Sequence, residues 1–230
     1  MAKLLEVSDF SVGFGAAQPV KGVSFSANPG EMLAIVGESG SGKSLTALGL
    51  MGLLPRHAKA GGQIRFDGRD LVGLRERDLR RIRGRDIAMI FQEPMTSLNP
   101  VLTIGDQIIE VLRIHEDLSR RQARERAIAL LDLVSIPEAR RRIDEYPHQL
   151  SGGMRQRVMI AIAVACNPKL LIADEPTTAL DVTIQAQIVD LVKDLRAKLD
   201  RDHHTLAHAA GEFMRISLQA LFRPGNADEA

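Results

Sequence analysis

Residues 37–44 read Gly37-Glu38-Ser39-Gly40-Ser41-Gly42-Lys43-Ser44. This run matches the pattern G-x-x-x-x-G-K-[ST], in which glycines let the backbone turn several N–H groups toward one polyanion. The pattern predicts a loop that binds the phosphates of a nucleotide, with all eight residues contributing. In such a loop Lys43 reaches the β- and γ-phosphates and Ser44 ligates Mg²⁺.

The residues on either side place this loop between a strand and a helix. Met32–Val36 is a short apolar run typical of a buried parallel strand. Residues 45–54 are apolar until Pro55 and predict a helix, whose N-terminus would add positive potential at the phosphates. We therefore expect the strand, loop and helix that a phosphate loop requires.

A second candidate region ends in two carboxylates. It reads Leu170-Leu171-Ile172-Ala173-Asp174-Glu175. Asp174 at the end of an apolar strand can hold Mg²⁺ through water, and Glu175 beside it can orient or deprotonate an attacking water. An acidic pair alone is usually a solvated strand end, but the phosphate loop upstream favours the catalytic interpretation.

A third motif, residues 150–157, reads Leu150-Ser151-Gly152-Gly153-Met154-Arg155-Gln156-Arg157. This motif with the preceding Tyr146-Pro147-His148-Gln149, the phosphate loop and the runs at residues 91–100 and 173–183 resemble the ATP-binding subunit of bacterial oligopeptide/dipeptide ATP-binding cassette (ABC) importers. The resemblance extends from about Leu4 to about Leu199. It implies that ATP and Mg²⁺ are the cofactors.

The resemblance also implies roles for individual residues. Gln92 is the glutamine that senses Mg²⁺ and the γ-phosphate and links the site to the membrane subunits, and Glu175 is the catalytic base. Ser151, Gly152 and Gly153 bind the γ-phosphate of ATP held by the other cassette of a head-to-tail dimer. Asp181 belongs to the loop that crosses the interface between the two cassettes.

Phe14 lies where the resemblance places an aromatic ring that stacks on adenine. An ordinary strand residue is an equally good interpretation, because aromatic rings pack in cores as often as on ligands.

The predicted fold class is α/β, a P-loop NTPase (RecA-like) core with an N-terminal antiparallel β subdomain and an inserted α-helical subdomain. The cassette occupies residues 1–199, with the helical insertion at about residues 99–150. Alternating residues 4–27 predict antiparallel strands, residues 61–68 a hairpin and residues 86–91 a buried strand that leads to Gln92. Ser119 and Gln122 predict a capping box at the start of a helix.

Composition agrees with one globular domain and limits the partners. The chain has 230 residues, is 45% hydrophobic and carries a net charge of +1. That charge and an aromatic content of 3% argue against nucleic acid as the main partner. The expected partners are a second cassette, two membrane permease subunits and an extracytoplasmic peptide-binding protein.

The single cysteine, Cys166, excludes an internal disulfide and is expected to fill core space. The N-terminal residues do not resemble a signal peptide. The longest apolar run, residues 158–166, is shorter than the roughly 20 residues that span a bilayer. We therefore expect a peripheral protein on the cytoplasmic face of the bacterial inner membrane.

The sequence departs from the family after about residue 199. Residues 200–210 show no strand-like run, and His208 has the wrong neighbours for the family's switch histidine. We interpret residues 200–230 as an atypical tail from a truncated or frame-shifted end, which predicts that a central strand is missing.

Two other functions remain open from the sequence. One is a catalytically impaired or inactive remnant of such a subunit, which the atypical tail favours. The other is a cytosolic ABC ATPase of DNA repair or translation, which predicts two cassettes or a long coiled coil that this chain lacks.

Overall fold

The computed structural model describes residues 3–38, 40–91, 97–174 and 214–219. The strands are β1 (Leu5–Phe14), β2 (Ala17–Ala27), β3 (Met32–Val36), β4 (Lys59–Phe66), β5 (Arg69–Asp70), β6 (Ile87–Ile90), β7 (Leu170–Asp174) and β8 (Met214–Gln219). The helices are α1 (Lys43–Leu50), α2 (Glu76–Ile82), α3 (Ile104–His115), α4 (Arg120–Leu133), α5 (Ala139–Arg142) and α6 (Gly152–Val164), with a 3₁₀ turn at Pro147–Gln149. The α/β class and its three predicted parts are confirmed.

The N-terminal part is an antiparallel sheet with the order β2-β1-β4-β5. Apolar residues along β1 are buried at Leu5, Val7, Phe10 and Val12, with the alternation shifted by one residue at an irregularity between Val7 and Phe10. β4 and β5 form the hairpin predicted at residues 61–68, and Asp67 and Gly68 are its turn. The predicted antiparallel subdomain is therefore confirmed.

The second sheet is parallel, with the order β3-β8-β7-β6. β3 is parallel as expected but is less buried than its apolar sequence predicts, because β8 alone pairs with it among the described strands. Val36 at its end is 51% exposed. The carboxyl ends of β3 and β7 lie at the same end of the sheet, and parallel α/β sheets bind ligands at the carboxyl ends of their strands.

The central strand of this sheet differs from what the sequence predicts. Met214–Gln219, from the segment interpreted as an atypical tail, forms β8 and pairs in parallel with both β3 and β7. The central strand that we expected to be missing is thus supplied by a run that alternates apolar and polar residues. Its register pairs Ile216 with Leu33 on one side and with Ile172 on the other. The boundary predicted at residue 199 and the switch position at His208 lie outside the described residues.

Two cores cover the two faces of the parallel sheet. The sandwich core joins the sheet to α1 and the antiparallel sheet and includes Phe10, Ala47, Leu50, Ile87, Met89, Leu170 and Ile172. The helical core joins it to α3, α4 and α6 and includes Ala88, Ile90, Ile104, Leu131, Ile160 and Leu171. Alternate residues of β6 and β7 therefore face different cores, as the period of two along a strand requires.

The helical insertion follows its local sequence signals. Ser119 caps α4, accepting a hydrogen bond from the Gln122 backbone N–H while its own N–H donates to Gln122 Oε1 at 3.0 Å. This confirms the predicted capping box. Within the described residues, no helix combines the length and hydrophobicity needed to cross a membrane.

Cys166 follows α6 and packs against the helical core, as predicted. Burial raises the pKa of its thiol to about 11. Because only the thiolate reacts with iodoacetamide, we expect alkylation at pH 8 to be about a hundredfold slower in the folded protein than in the unfolded chain. The difference should narrow as the pH rises toward the folded-state pKa. Mass spectrometry with and without guanidinium measures both rates at this single cysteine, and rates within threefold of each other would contradict the prediction.

Candidate functional site

The phosphate loop lies between the carboxyl end of β3 and the first turn of α1. Gly42 is the residue before α1 and has φ 88° and ψ 10°, a left-handed conformation that favours glycine. The Thr46 hydroxyl donates to the Gly42 carbonyl oxygen at 2.9 Å and holds the first turn of the helix against the loop. The predicted strand, loop and helix are present in this order.

Lys43 is buried inside the loop, with 7% of its surface exposed. Its Nζ donates hydrogen bonds of 2.8 Å to the carbonyl oxygens of Gly37 and Glu38. An ammonium group has three donors, so these two bonds anchor the charge in the loop while leaving it a further donor. The geometry places a fixed cation where the sequence predicts the phosphates.

Ser44 and Asp174 meet at the edge of the parallel sheet although they are far apart in the chain. The Ser44 hydroxyl donates to Asp174 Oδ1 at 3.1 Å. Asp174 ends β7 and is 6% exposed. Burial raises the pKa of Asp174, while the hydrogen bond from Ser44 and the charge of Lys43 lower it.

A buried carboxylate beside a hydroxyl is suited to a hard divalent cation, which prefers oxygen ligands. The pKa of Asp174 is raised because burial removes water from the carboxylate, and this effect outweighs those of Ser44 and Lys43. A cation bound here would stabilise the charged carboxylate. The pair therefore fits the Mg²⁺ predicted from Ser44 and Asp174.

The β1–β2 hairpin packs against the loop from the other side. A Cβ atom built on Gly42 would lie 2.7 Å from Val20 Cγ2 and 2.9 Å from the Pro19 carbonyl oxygen. Phe14 at the end of β1 is partly buried, and its ring lies 5.3 Å from that of His57, with the planes at 56°. The predicted base-stacking residue is thus part of the hairpin that packs against the loop.

The Ser151-Gly152-Gly153 motif opens α6, as the sequence predicts. Ser151 caps the helix, and its hydroxyl accepts a 3.3 Å hydrogen bond from the Met154 backbone N–H. Gly152 and Gly153 are the first two helical residues, so their backbone N–H groups have no partner within the helix. The N-terminus of this long helix has the polarity to bind an anion.

Two arginines of the same motif have structural roles. Arg155 Nε donates to the Leu150 carbonyl oxygen at 3.1 Å. Arg157 Nη1 donates to the Val134 carbonyl oxygen at 2.7 Å and so joins α6 to the end of α4. These bonds orient the start of α6 relative to the helical insertion.

The two motifs predicted to bind phosphate belong to different cores. The phosphate loop leads into α1 of the sandwich core, whereas the Ser151 motif leads into α6 of the helical core. Among the described residues, no hydrogen bond connects residues 37–44 with residues 151–153. This arrangement is consistent with the expectation that each motif serves a different ATP molecule.

Four of the predicted site residues, Ser39, Gln92, Glu175 and Asp181, lie outside the described residues. The structure also identifies contributors that the sequence did not. Thr46, Pro19 and Val20 support Gly42, and His57 contacts Phe14. No local sequence pattern marks these residues, because each acts through a contact made by the fold.

Sequence comparisons find related proteins of known family. The sequence profile of the ABC transporter family matches residues 20–178. The chain is 53% identical over 224 residues to the oligopeptide transport ATP-binding protein OppD of Bacillus subtilis (strain 168), covering 94% of this chain and 62% of that protein. It is 57% identical over 215 residues to a putative peptide import ATP-binding protein of Brucella abortus (strain 2308), covering 91% and 65%. The chain thus spans less than two thirds of the length of these relatives.

The fold is also similar to that of a solved structure. The ATP-binding cassette MJ0796, in a dimeric post-hydrolysis state bound to ADP and Pi, superimposes with a TM-score of 0.76 and 29% identity. The match covers 94% of this chain and 88% of that one.

Proposed function

The chain belongs to the ABC transporter family, and from this premise we propose that it is the ATP-binding, energy-coupling subunit of a peptide importer. The contact of Ser44 with Asp174 beside the buried Lys43 carries the proposal, because it joins a phosphate loop to a buried carboxylate at one sheet edge. The high identity to peptide-transport relatives supports the choice of peptide as cargo.

ATP is the substrate proposed for this site. Backbone N–H groups of residues 37–44 and the Lys43 ammonium would hold its phosphates, and Phe14 would stack on its base. Ser44 and Asp174, with Gln92, would hold Mg²⁺. The bound Mg²⁺ would neutralise charge that develops on the phosphate oxygens.

Hydrolysis is assigned to Glu175, which follows the last residue of β7. Its carboxylate would orient and deprotonate the attacking water. The Lys43 ammonium would stabilise negative charge on the departing phosphates without reorganising, because its hydrogen bonds to Gly37 and Glu38 already fix its place.

Two cassettes are proposed to close on ATP in a head-to-tail dimer. The N-terminus of α6, with Ser151, Gly152 and Gly153, would bind the γ-phosphate held by the partner cassette, and Asp181 would lie at the interface. The separation of this motif from the phosphate loop supports the arrangement, as does the dimeric state of MJ0796. Hydrolysis would then release the two cassettes.

Two permease subunits would convert closure into transport, and an extracytoplasmic binding protein would deliver the peptide. The proposed location is the cytoplasmic face of the bacterial inner membrane, with peripheral attachment. Peptide selectivity would reside in those other subunits.

Replacing Glu175 with glutamine tests this proposal. We expect Glu175→Gln to bind ATP as the wild type does but to hydrolyse it at least about a hundredfold more slowly, because the general base is lost. The variant should also accumulate as a dimer in ATP, measured by size-exclusion chromatography with light scattering.

Glu125→Gln is the matched control, since Glu125 is an exposed residue paired with Arg140. It should keep the wild-type turnover. A wild-type chain without turnover, or a Glu175→Gln variant with an unchanged rate, would refute the proposed function.

A further inference from the structure

The ring pair of Phe14 and His57 lies at the tip of the β1–β2 hairpin. Its centroid distance of 5.3 Å and interplanar angle of 56° fall in the range of attractive aromatic contacts. β1 pairs with β4 so that Gly13 lies opposite Lys59. This register brings the turn before β4, which contains His57, alongside Phe14.

The register of the hairpin also places this pair beside the phosphate loop. Val12 pairs with Val20, the residue that packs against Gly42. Phe14 pairs with Ala17 and lies two residues beyond Val12 toward the tip, a distance of about 7 Å along the strand. A nucleotide whose phosphates lie in the loop therefore has the ring pair within reach of its base.

The exposure of the two rings differs. Phe14 is partly buried against the sandwich core, whereas His57 is exposed. An exposed imidazole contributes little to core packing, and the ring contact of His57 is with Phe14. Phe14 is only partly buried, so the residue keeps surface that a ligand can contact.

We infer that His57 is a positioning residue for the nucleobase: it holds the Phe14 ring in the orientation against which a purine stacks. The inference rests on the proposed function and adds a residue to it. Stacking acts on the base and does not involve the phosphates, and a ring that is already held in place loses less freedom when the base binds. His57 therefore acts on the recognition of the base and leaves phosphate binding unchanged.

The test compares two ligands that share phosphates and differ in the base. ATP carries the purine, whereas inorganic tripolyphosphate has none. We expect His57→Ala to weaken ATP binding by about two- to tenfold, the size of one aromatic pair, and to leave tripolyphosphate affinity within twofold of the wild type. His57→Phe should restore ATP affinity, because it keeps a ring at this position. Isothermal titration calorimetry measures each affinity.

A double-mutant cycle separates positioning from direct contact. If His57 acts through Phe14, His57→Ala should have no further effect in a Phe14→Ala background. Additive losses would overturn the inference, as would unchanged ATP affinity in His57→Ala or equal losses for both ligands.

The failure of the proposed function is distinguishable from these outcomes. If the wild-type protein binds neither ATP nor tripolyphosphate, the proposed function fails and this inference fails with it. If the wild type binds both and His57→Ala binds both equally well, only the inference fails. Retained tripolyphosphate binding in the variant also demonstrates that it is folded.

Discussion

Replacing Lys43 with alanine is expected to lower ATP turnover by about two to three orders of magnitude, the cost of removing one fixed donor from a developing anion. The lysine is 7% exposed, and its ammonium is held by two carbonyl oxygens of the loop. No other described residue supplies a hydrogen bond to those two oxygens through its side chain. Removing the Lys43 side chain therefore changes the charge of the loop and also the hydrogen bonds that set its shape.

The same substitution should weaken ATP binding and alter the neighbouring carboxylate. The charge of Lys43 lowers the pKa of Asp174, so its removal raises that pKa further above the usual range. More Asp174 would then be protonated at a given pH, and Mg²⁺ would compete less well. We expect the loss of ATP affinity in Lys43→Ala to grow as the pH falls, measured by titration with Mg²⁺ and ATP.

Lys169→Ala is the matched control for this experiment. Lys169 forms an ion pair of 2.6 Å with Asp67, and both side chains are substantially exposed. Surface pairs of this kind contribute about 0–1 kcal/mol to stability, so the control should keep its ATP turnover. A Lys43→Ala variant with ATP affinity within twofold of the wild type would contradict the assigned role.

Local sequence signals predicted the elements that hold the site. The alternation in β1, the glycine loop before α1 and the Ser119–Gln122 capping box each depend on residues within a few positions of one another. The opening of α6 at the Ser151 motif was predicted for the same reason. Such signals act before any tertiary contact forms, so they can be interpreted from the sequence alone.

The errors involve contacts between distant segments. β8 occupies the centre of the parallel sheet, but its alternating apolar and polar residues differ from the continuous apolar run that is typical of a central parallel strand. The partial exposure of β3 likewise depends on which strands pair with it, and its own five residues do not reveal this.

The separation into two cores bears on the two motifs that the sequence predicts to bind phosphate. Both motifs lie at helix N-termini, which have the polarity to bind an anion. The parallel sheet lies between the cores to which their helices belong, because alternate residues of β6 and β7 face opposite sides. Each motif is therefore positioned by a different core.

Among substitutions that add a single methyl group to the loop, we expect Gly42→Ala to cause the largest loss of stability and ATP binding. The left-handed φ of 88° costs a non-glycine residue about 1–3 kcal/mol. The added Cβ would also lie 2.7 Å from Val20 Cγ2 and 2.9 Å from the Pro19 carbonyl oxygen, and overpacking of this kind costs about 1–3 kcal/mol. Because the Pro19 oxygen is backbone, the loop must move. We expect the free energy of unfolding to fall by about 2–5 kcal/mol and ATP binding to be lost.

Gly40→Ala separates the two causes, because it shares the backbone strain without the clash. Gly40 has φ 79°, and a Cβ built there meets no atom within 4 Å. We expect the free energy of unfolding to fall by about 1–3 kcal/mol from the backbone conformation alone, less than in Gly42→Ala. Urea denaturation gives both stabilities, and ATP titration at a temperature where both variants are folded gives the affinities. Equal effects of the two substitutions would mean that the packing of the hairpin against Gly42 does not set the shape of the phosphate loop.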